Sequence, residues 1–208
     1  MDDVTKAIRV LQGGGIVIFP TDTAFGIGCR IDDESAIRRL FRIRKRSETK
    51  ATPVLVSSLH MAQEYLQKVP QEVIEKLMNP YWPGALTIVL PCIAEKVPAL
   101  VRGGTDTLGV RVPNHLTTLA LIRGVGVPIL GTSANLAGEK TPYAFDDLDK
   151  ELVKLVDYVV PGACHTKQAS TVIDTTVSPW KILRQGQIDL DLRIKEVSIC
   201  IDKHTRVD

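Results

Sequence analysis

Apolar residues come in short runs along this chain, and most runs end at a proline, a glycine or a cluster of hydroxyl side chains. Val4, Ala7, Ile8 and Leu11 recur at helical spacing, and Gly13-Gly14-Gly15 stops that helix. Val17-Ile18-Phe19 has no alternating polar residues, so it reads as a strand buried on both faces. Pro20 has no N–H to give a ladder, and the strand is expected to end there. Thr21, Asp22 and Thr23 follow, then Gly26 and Gly28. Small polar side chains beyond the carboxyl end of a strand stand where an open α/β sheet presents its ligands, although a plain Asx or Ser/Thr turn has the same composition.

The pattern continues in the same style. Asp32-Asp33-Glu34-Ser35 caps a helix to about Ile43, with Ala36, Ile37, Leu40 and Phe41 on its apolar face. Pro53 to Val56 predicts a strand, Met61 to Leu66 and Pro70 to Met78 helices, and Ala85 to Leu90 a strand after the turn Tyr81-Trp82-Pro83-Gly84. Val97 to Gly104 reads as irregular. Thr107 to Val112 is a strand closed by Pro113, and within it Arg111 is an isolated charge that must be paired or face a ligand. A helix from Thr117 to Ile122 precedes the strand Val127 to Leu130, which runs into the small-residue loop 131–142. Asp146 to Val153 is helical, and Leu155 to Val160, Thr171 to Asp174 and Ile182 to Arg184 are strands. A further strand with a frayed tail is expected from about Asp189. Strands interleaved with helices, without repeat or long linker, predict a single α/β domain over 1–208 with an open, twisted, mixed sheet.

Charge changes this picture locally. The net charge is only +2, but Arg38, Arg39, Arg42, Arg44, Lys45, Arg46 and Lys50 cluster with Glu48 as their one acidic neighbour. The helical arginines suit a solvated face and the macrodipole. Arg44 to Lys50 lies past the last apolar turn, where cations around a polyphosphate explain the density. Four loops of small polar residues and three basic side chains, Arg46, Arg111 and Arg184, are the parts of a cleft for an anion. Gly138-Glu139-Lys140-Thr141 has Glu between Gly and Lys and is no Walker ending. Cys29, Cys92, Cys164 and Cys200 show no metal spacing and read as reduced thiols of a cytoplasmic protein. The acidic N-terminus is unlike a signal peptide, no apolar run reaches membrane-spanning length, and no metal site is expected. No nucleophile–base pair stands out; of His60, His115, His165 and His204, only His115 lies near a motif.

Six motifs in order then resemble the YrdC/TsaC family of threonylcarbamoyl-AMP synthases. They are Phe19 to Gly26, Tyr81 to Thr87, Thr107 to Pro113, Thr132-Ser133-Ala134-Asn135 with Gly138, Ser170 to Asp174, and Ile182-Leu183-Arg184-x-Gly186, spanning about Gly14 to Ile188. The resemblance implies an open twisted sheet around a large basic cavity. It implies a nucleotidyltransferase that condenses L-threonine, bicarbonate and ATP, with Mg2+ bridged through phosphates, into threonylcarbamoyl-adenylate and pyrophosphate. A threonylcarbamoyl-transferase complex downstream would carry the group to adenosine 37 of tRNA. The extra C-terminal domain of larger relatives would not fit in this length. By motif, Thr23, Arg111 and Ser170 would bind threonine; Arg46, Lys50, Thr107, Ser133, Thr141 and Arg184 would hold the nucleotide. Arg46, Lys50 and Arg111 would supply positioning and charge neutralisation in place of a catalytic acid or base. The segments 44–52 and 138–145 are candidates for a lid over the labile carbamate.

The chain departs from the family at Arg44-Lys45-Arg46-Ser47, where Lys-x-Arg-Pro is usual, at Ser57, where a histidine is common, and at Phe25, where a tyrosine is common. Lys45 could stand in for Lys50. The alternatives are a non-catalytic double-stranded RNA- or tRNA-binding protein, which +2 and few stacking aromatics disfavour, and a nucleotide-binding regulator that lost the reaction.

Overall fold

The structure, a computed structural model, describes residues 1–190. The first helix, Asp3–Gln12, is capped by Asp2, whose side chain accepts from the Thr5 N–H. Strand β1 (Val17–Phe19) follows and pairs antiparallel with β2 (Gly26–Gly28), so the polar stretch from Thr21 to Ala24 is the connection of a hairpin. Ile16 and Ile18 pack into one apolar cluster, and Val17 and Phe19 into another with Ala7, Leu11, Leu121 and Ile122. Burial on both faces is why the run carries no polar alternation.

The strands divide into two mixed sheets rather than one continuous sheet. β1 and β2 are flanked by β7 (Thr132–Ser133) and β8 (Tyr158–Val159) in the order β7-β2-β1-β8. The other six are β3 (Val54–Leu55), β4 (Leu86–Pro91), β5 (Thr107–Arg111), β6 (Ile129–Leu130), β9 (Thr171–Asp174) and β10 (Lys181–Arg184), in the order β10-β9-β4-β5-β3-β6. β6 and β7 are separated only by Gly131, so the chain steps from one sheet to the other there. The sheets touch where the Leu130 N–H donates to Cys29 O at 2.9 Å. A Cβ at Gly28 would overlap the Leu130 carbonyl oxygen, so this crossing requires glycine. The expected α/β architecture stands; its division into two sheets reflects pairing, which periodicity does not encode.

Several elements differ in detail. Residues 97–104, expected to be irregular, hold a short helix Ala99–Arg102 closed by Gly103 at φ 61°. The helix expected over Pro70 to Met78 runs to Tyr81 through a π turn at Ile74–Met78. Helix Lys150–Leu155 is preceded by a 3-10 turn at Phe145–Asp147, and the following strand is only Tyr158–Val159. The strand expected from about Asp189 lies almost wholly outside the described residues. No helix among them is long and apolar enough to cross a membrane.

Helix Glu34–Ile43 ends in a way that matters for the site. Arg44 is its C-cap, Lys45 takes φ 51°, the Lys45 N–H donates to Arg42 O and the Arg46 N–H to Phe41 O. This is the two-bond Schellman closure with lysine at the left-handed position where glycine is favoured. A lysine there carries backbone strain of about 1 kcal/mol. Lys45→Gly should therefore stabilise the fold by about 1 kcal/mol, read as a higher denaturant midpoint at unchanged slope.

Candidate functional site

A cavity of about 180 Å³ opens beside the ends of β1, β5 and β9. Its opening wall is the hairpin turn. Thr21 Oγ1 donates to Ala24 O at 2.7 Å and accepts from the N–H groups of Thr23 and Ala24. That is a Ser/Thr turn, and it holds the Thr23 hydroxyl and the Asp22 carboxylate toward Arg111. Arg111, at the end of β5, donates through Nε to Gly84 O at 2.9 Å, through Nη1 to Thr23 Oγ1 at 2.9 Å and through Nη2 to the Asp22 carboxylate. The pair is buried, with side-chain exposures of 7% and 8%. Arg111 is thus both paired and facing the cavity, which merges the two alternatives its sequence context leaves open. Three of the five guanidinium N–H groups are engaged, which leaves two for a ligand.

The opposite wall comes from β9 and β10. Ser170, just before β9, shares a hydrogen bond with Thr87 Oγ1 at 3.0 Å. Arg184 donates to both Ser170 O and Ser170 Oγ, at 3.0 and 2.9 Å. At the mouth, the Schellman turn places Arg44 and Arg46 along the cavity while Lys45 between them does not line it. Arg44 is buried and donates to Thr132 Oγ1 at 2.6 Å and to Asn135 O and Oδ1 at 3.0 and 3.2 Å. Ser133 Oγ donates to the same Asn135 Oδ1. Arg46 donates to Ala51 O, and its buried Nε has no partner.

Among the described residues, four arginines and no acidic side chain line this cavity, and Asp22 behind Arg111 is the one carboxylate ion-paired with any of them. Burial pushes the Arg44 guanidinium down to about 10, helped by the Arg46 charge. Burial also lowers Arg46 and Arg184, and lowers Arg111 against the opposing pull of Asp22. Cations desolvated without counter-charges make a site that an anion stabilises.

Of the residues expected from sequence, Thr23, Arg46, Arg111, Ser133, Thr141, Ser170 and Arg184 come together around this cavity. Lys50 and Thr107 do not. Thr107 stands at the opposite end of β5 from Arg111, roughly 13 Å away along the strand, and bonds to Thr105. Lys50 is exposed in a turn whose N–H returns to Ser47 O. The structure adds Arg44, Thr87 and Thr132 to the lining and Asp22 behind it. Arg44 was visible only as one charge in a run, and Asp22 as one of three small polar residues beyond a strand end, with nothing to single it out as the partner of Arg111. Ser57 faces away, into a second cavity. Phe25 is fully buried with its ring edge-to-face on Phe145, 6.0 Å between centroids.

Comparison with known proteins is informative at this point. The Sua5/YciO/YrdC family profile, described as telomere recombination, matches residues 9–186. The chain belongs to that family. It is 33% identical over 189 residues to a threonylcarbamoyl-AMP synthase of Pyrococcus abyssi, covering 88% of this chain and 55% of the relative. The crystal structure of P. abyssi Sua5 complexed with L-threonine superposes with a TM-score of 0.81 at 32% identity, over 88% of this chain and 54% of that one. The crystal structure of Escherichia coli YciO has the same TM-score at 29% identity, over 91% of both chains. This chain therefore spans about half the length of the synthases it matches and nearly all of YciO.

Two outcomes test the geometry. Asp22→Ala leaves Arg111 buried without its carboxylate and should cost about 3 kcal/mol of stability, measured by urea unfolding. His115 is buried, with Nε2 3.2 Å from Ala163 O, its ring 4.9 Å from that of His165 at a 32° tilt, and Nδ1 buried and unpartnered. Burial lowers its pKa from 6.5. The unfolded chain then binds the proton more readily, so stability should be full above pH ~6.5 and fall below it until the folded-state pKa is passed. His115→Gln should flatten the melting temperature between pH 7 and 5; an unchanged slope would assign it elsewhere.

Proposed function

We propose that this chain is an L-threonylcarbamoyladenylate synthase, joining L-threonine, bicarbonate and ATP into threonylcarbamoyl-adenylate and pyrophosphate. The observation that supports this most is the cavity lined by four arginines, with no acidic side chain among its described lining residues: Arg111 stands at the end beside the hairpin turn, Arg44 and Arg46 at the Schellman turn, and Arg184 against Ser170. At the first end, the free N–H groups of Arg111 would take the threonine carboxylate in a fork, with Thr23 and Ser170 as hydroxyl contacts. At the other, Arg46 would meet phosphate oxygens through the guanidinium Nη groups not taken by Ala51 O, Arg184 would add charge, and Ser133 and Thr141 would contact the nucleotide.

The chemistry follows from positioning. The threonine amine adds to bicarbonate-derived CO2 and loses a proton to give a carbamate. A carbamate oxygen attacks the α-phosphorus, and the bond to the pyrophosphate oxygen breaks. No covalent enzyme intermediate is needed, and the developing negative charge is met by fixed guanidinium groups. ATP would enter as its Mg2+ complex, an ion that needs few ligands from the chain. In this reading the product serves tRNA modification through a separate transferase complex, and the reaction is cytoplasmic.

Pyrophosphate release that requires ATP, threonine and bicarbonate together is the expected result. Arg111→Lys, which removes the fork, should raise the threonine KM about tenfold or more. Arg46→Ala should weaken ATP instead. ATP binding without pyrophosphate release would leave a nucleotide-binding regulator, and RNA binding without ATP binding would favour the nucleic-acid reading.

A further inference from the structure

The described residues enclose a second cavity, of about 320 Å³. Successive residues at the end of β5 point to opposite sides, so Arg111 serves the first cavity and Val112 the second. Met78, Trp82, Val112 and Leu119 make apolar walls, and Asn79 and Arg123 are polar groups at its edge. The Trp82 indole N–H is already committed to Leu86 O at 2.7 Å, so the ring enters the cavity as apolar surface. Arg123 is exposed and makes no ion pair among the described residues. Apolar walls with one cation and a few hydrogen-bonding groups are the composition of a small-molecule site.

We propose that this cavity binds a small amphipathic anion, a carboxylate or sulfonate on a flat apolar body, with its charge on Arg123 and its body against Trp82 and Leu119. The site is wired to Arg111 through backbone. The Gly84 N–H, next to Pro83, donates to Val112 O at 2.8 Å, and Gly84 O accepts from Arg111 Nε. The Val56 N–H, next to Ser57, donates to Arg111 O at 3.0 Å. Pro83, Val112 and Ser57 all line the second cavity. An occupant that shifts any of them moves the groups that fix Arg111, and so changes affinity at the carboxylate end; this coupling rests on the function proposed above, whereas the binding itself does not.

Naphthalene-1-carboxylate is a suitable probe, titrated into the full chain while the two indole N–H resonances are followed by NMR. A saturable shift at Trp82 with Trp180 unmoved, persisting in saturating ATP, is the expected result. Arg123→Glu, and Asn79→Trp as a plug, should each weaken the probe about tenfold or more without lowering the melting temperature. A shift abolished by ATP would put the probe in the first cavity and overturn the proposal, as would two variants that bind like the parent chain or a titration that never saturates. Calorimetry of threonine with and without the probe reads the coupling: an affinity change of about threefold or more is expected, and an unchanged affinity removes it. Absence of threonine binding altogether would sink the synthase reading and leave the probe titration to decide the second cavity alone.

Discussion

The buried contact between Arg111 and Asp22 is the constraint from which the site follows. It joins the hairpin turn of one sheet to a strand end of the other, and the third bond of Arg111 adds the loop before β4. Three chain segments distant in sequence are thereby fixed on one guanidinium. Neither partner tolerates burial alone, because each would be an uncompensated charge in a dry place. The threonine hydroxyls around them serve the same end: Thr21 holds the turn closed and Thr23 takes the Nη1 proton that Asp22 does not.

Among the described residues, the remaining three arginines have no such carboxylate. Arg44 has exchanged ionic partners for carbonyl, amide and hydroxyl oxygens, which hold its geometry without cancelling its charge. Its field therefore reaches the cavity while its donors knit the Thr132–Asn135 loop. Arg46 and Arg184 are held by backbone carbonyls in the same manner. The protein keeps positive charge in a partly desolvated space at a cost to its own stability, as functional sites commonly do.

Much of this was legible in the sequence. The run Val17 to Phe19 and its stop at Pro20 fix the strand, because a doubly buried strand and a proline leave few other readings, while the polar turn after it reads equally as a ligand-presenting loop or a plain turn until Arg111 is seen against it. Arg111 was conspicuous as a charge among apolar residues. Other features depend on distant contacts. Which of Arg44, Lys45 and Arg46 lines the cavity is decided by a left-handed residue at Lys45, which no propensity favours for lysine. The misplacement of Thr107 has the opposite origin: its motif is continuous with Arg111, but an extended strand carries its two ends far apart. That Asp22 pairs with an arginine 89 residues away could not be read from its own stretch.

The step between sheets at Gly131 and the late arrival of Arg184 also bear on how the chain acquires its shape during synthesis. β1 waits for β8, its parallel neighbour at Tyr158 and Val159, and the cavity that begins at Thr21 is not closed until Arg184 has been added. Loop closures this long delay the rewarding contacts until most of the entropy has been lost. A nascent chain short of residue 184 lacks the Arg184 donors on Ser170 and with them part of one cavity wall, so anything that binds there can stabilise the fold only after that residue has been made, not while the early strands assemble.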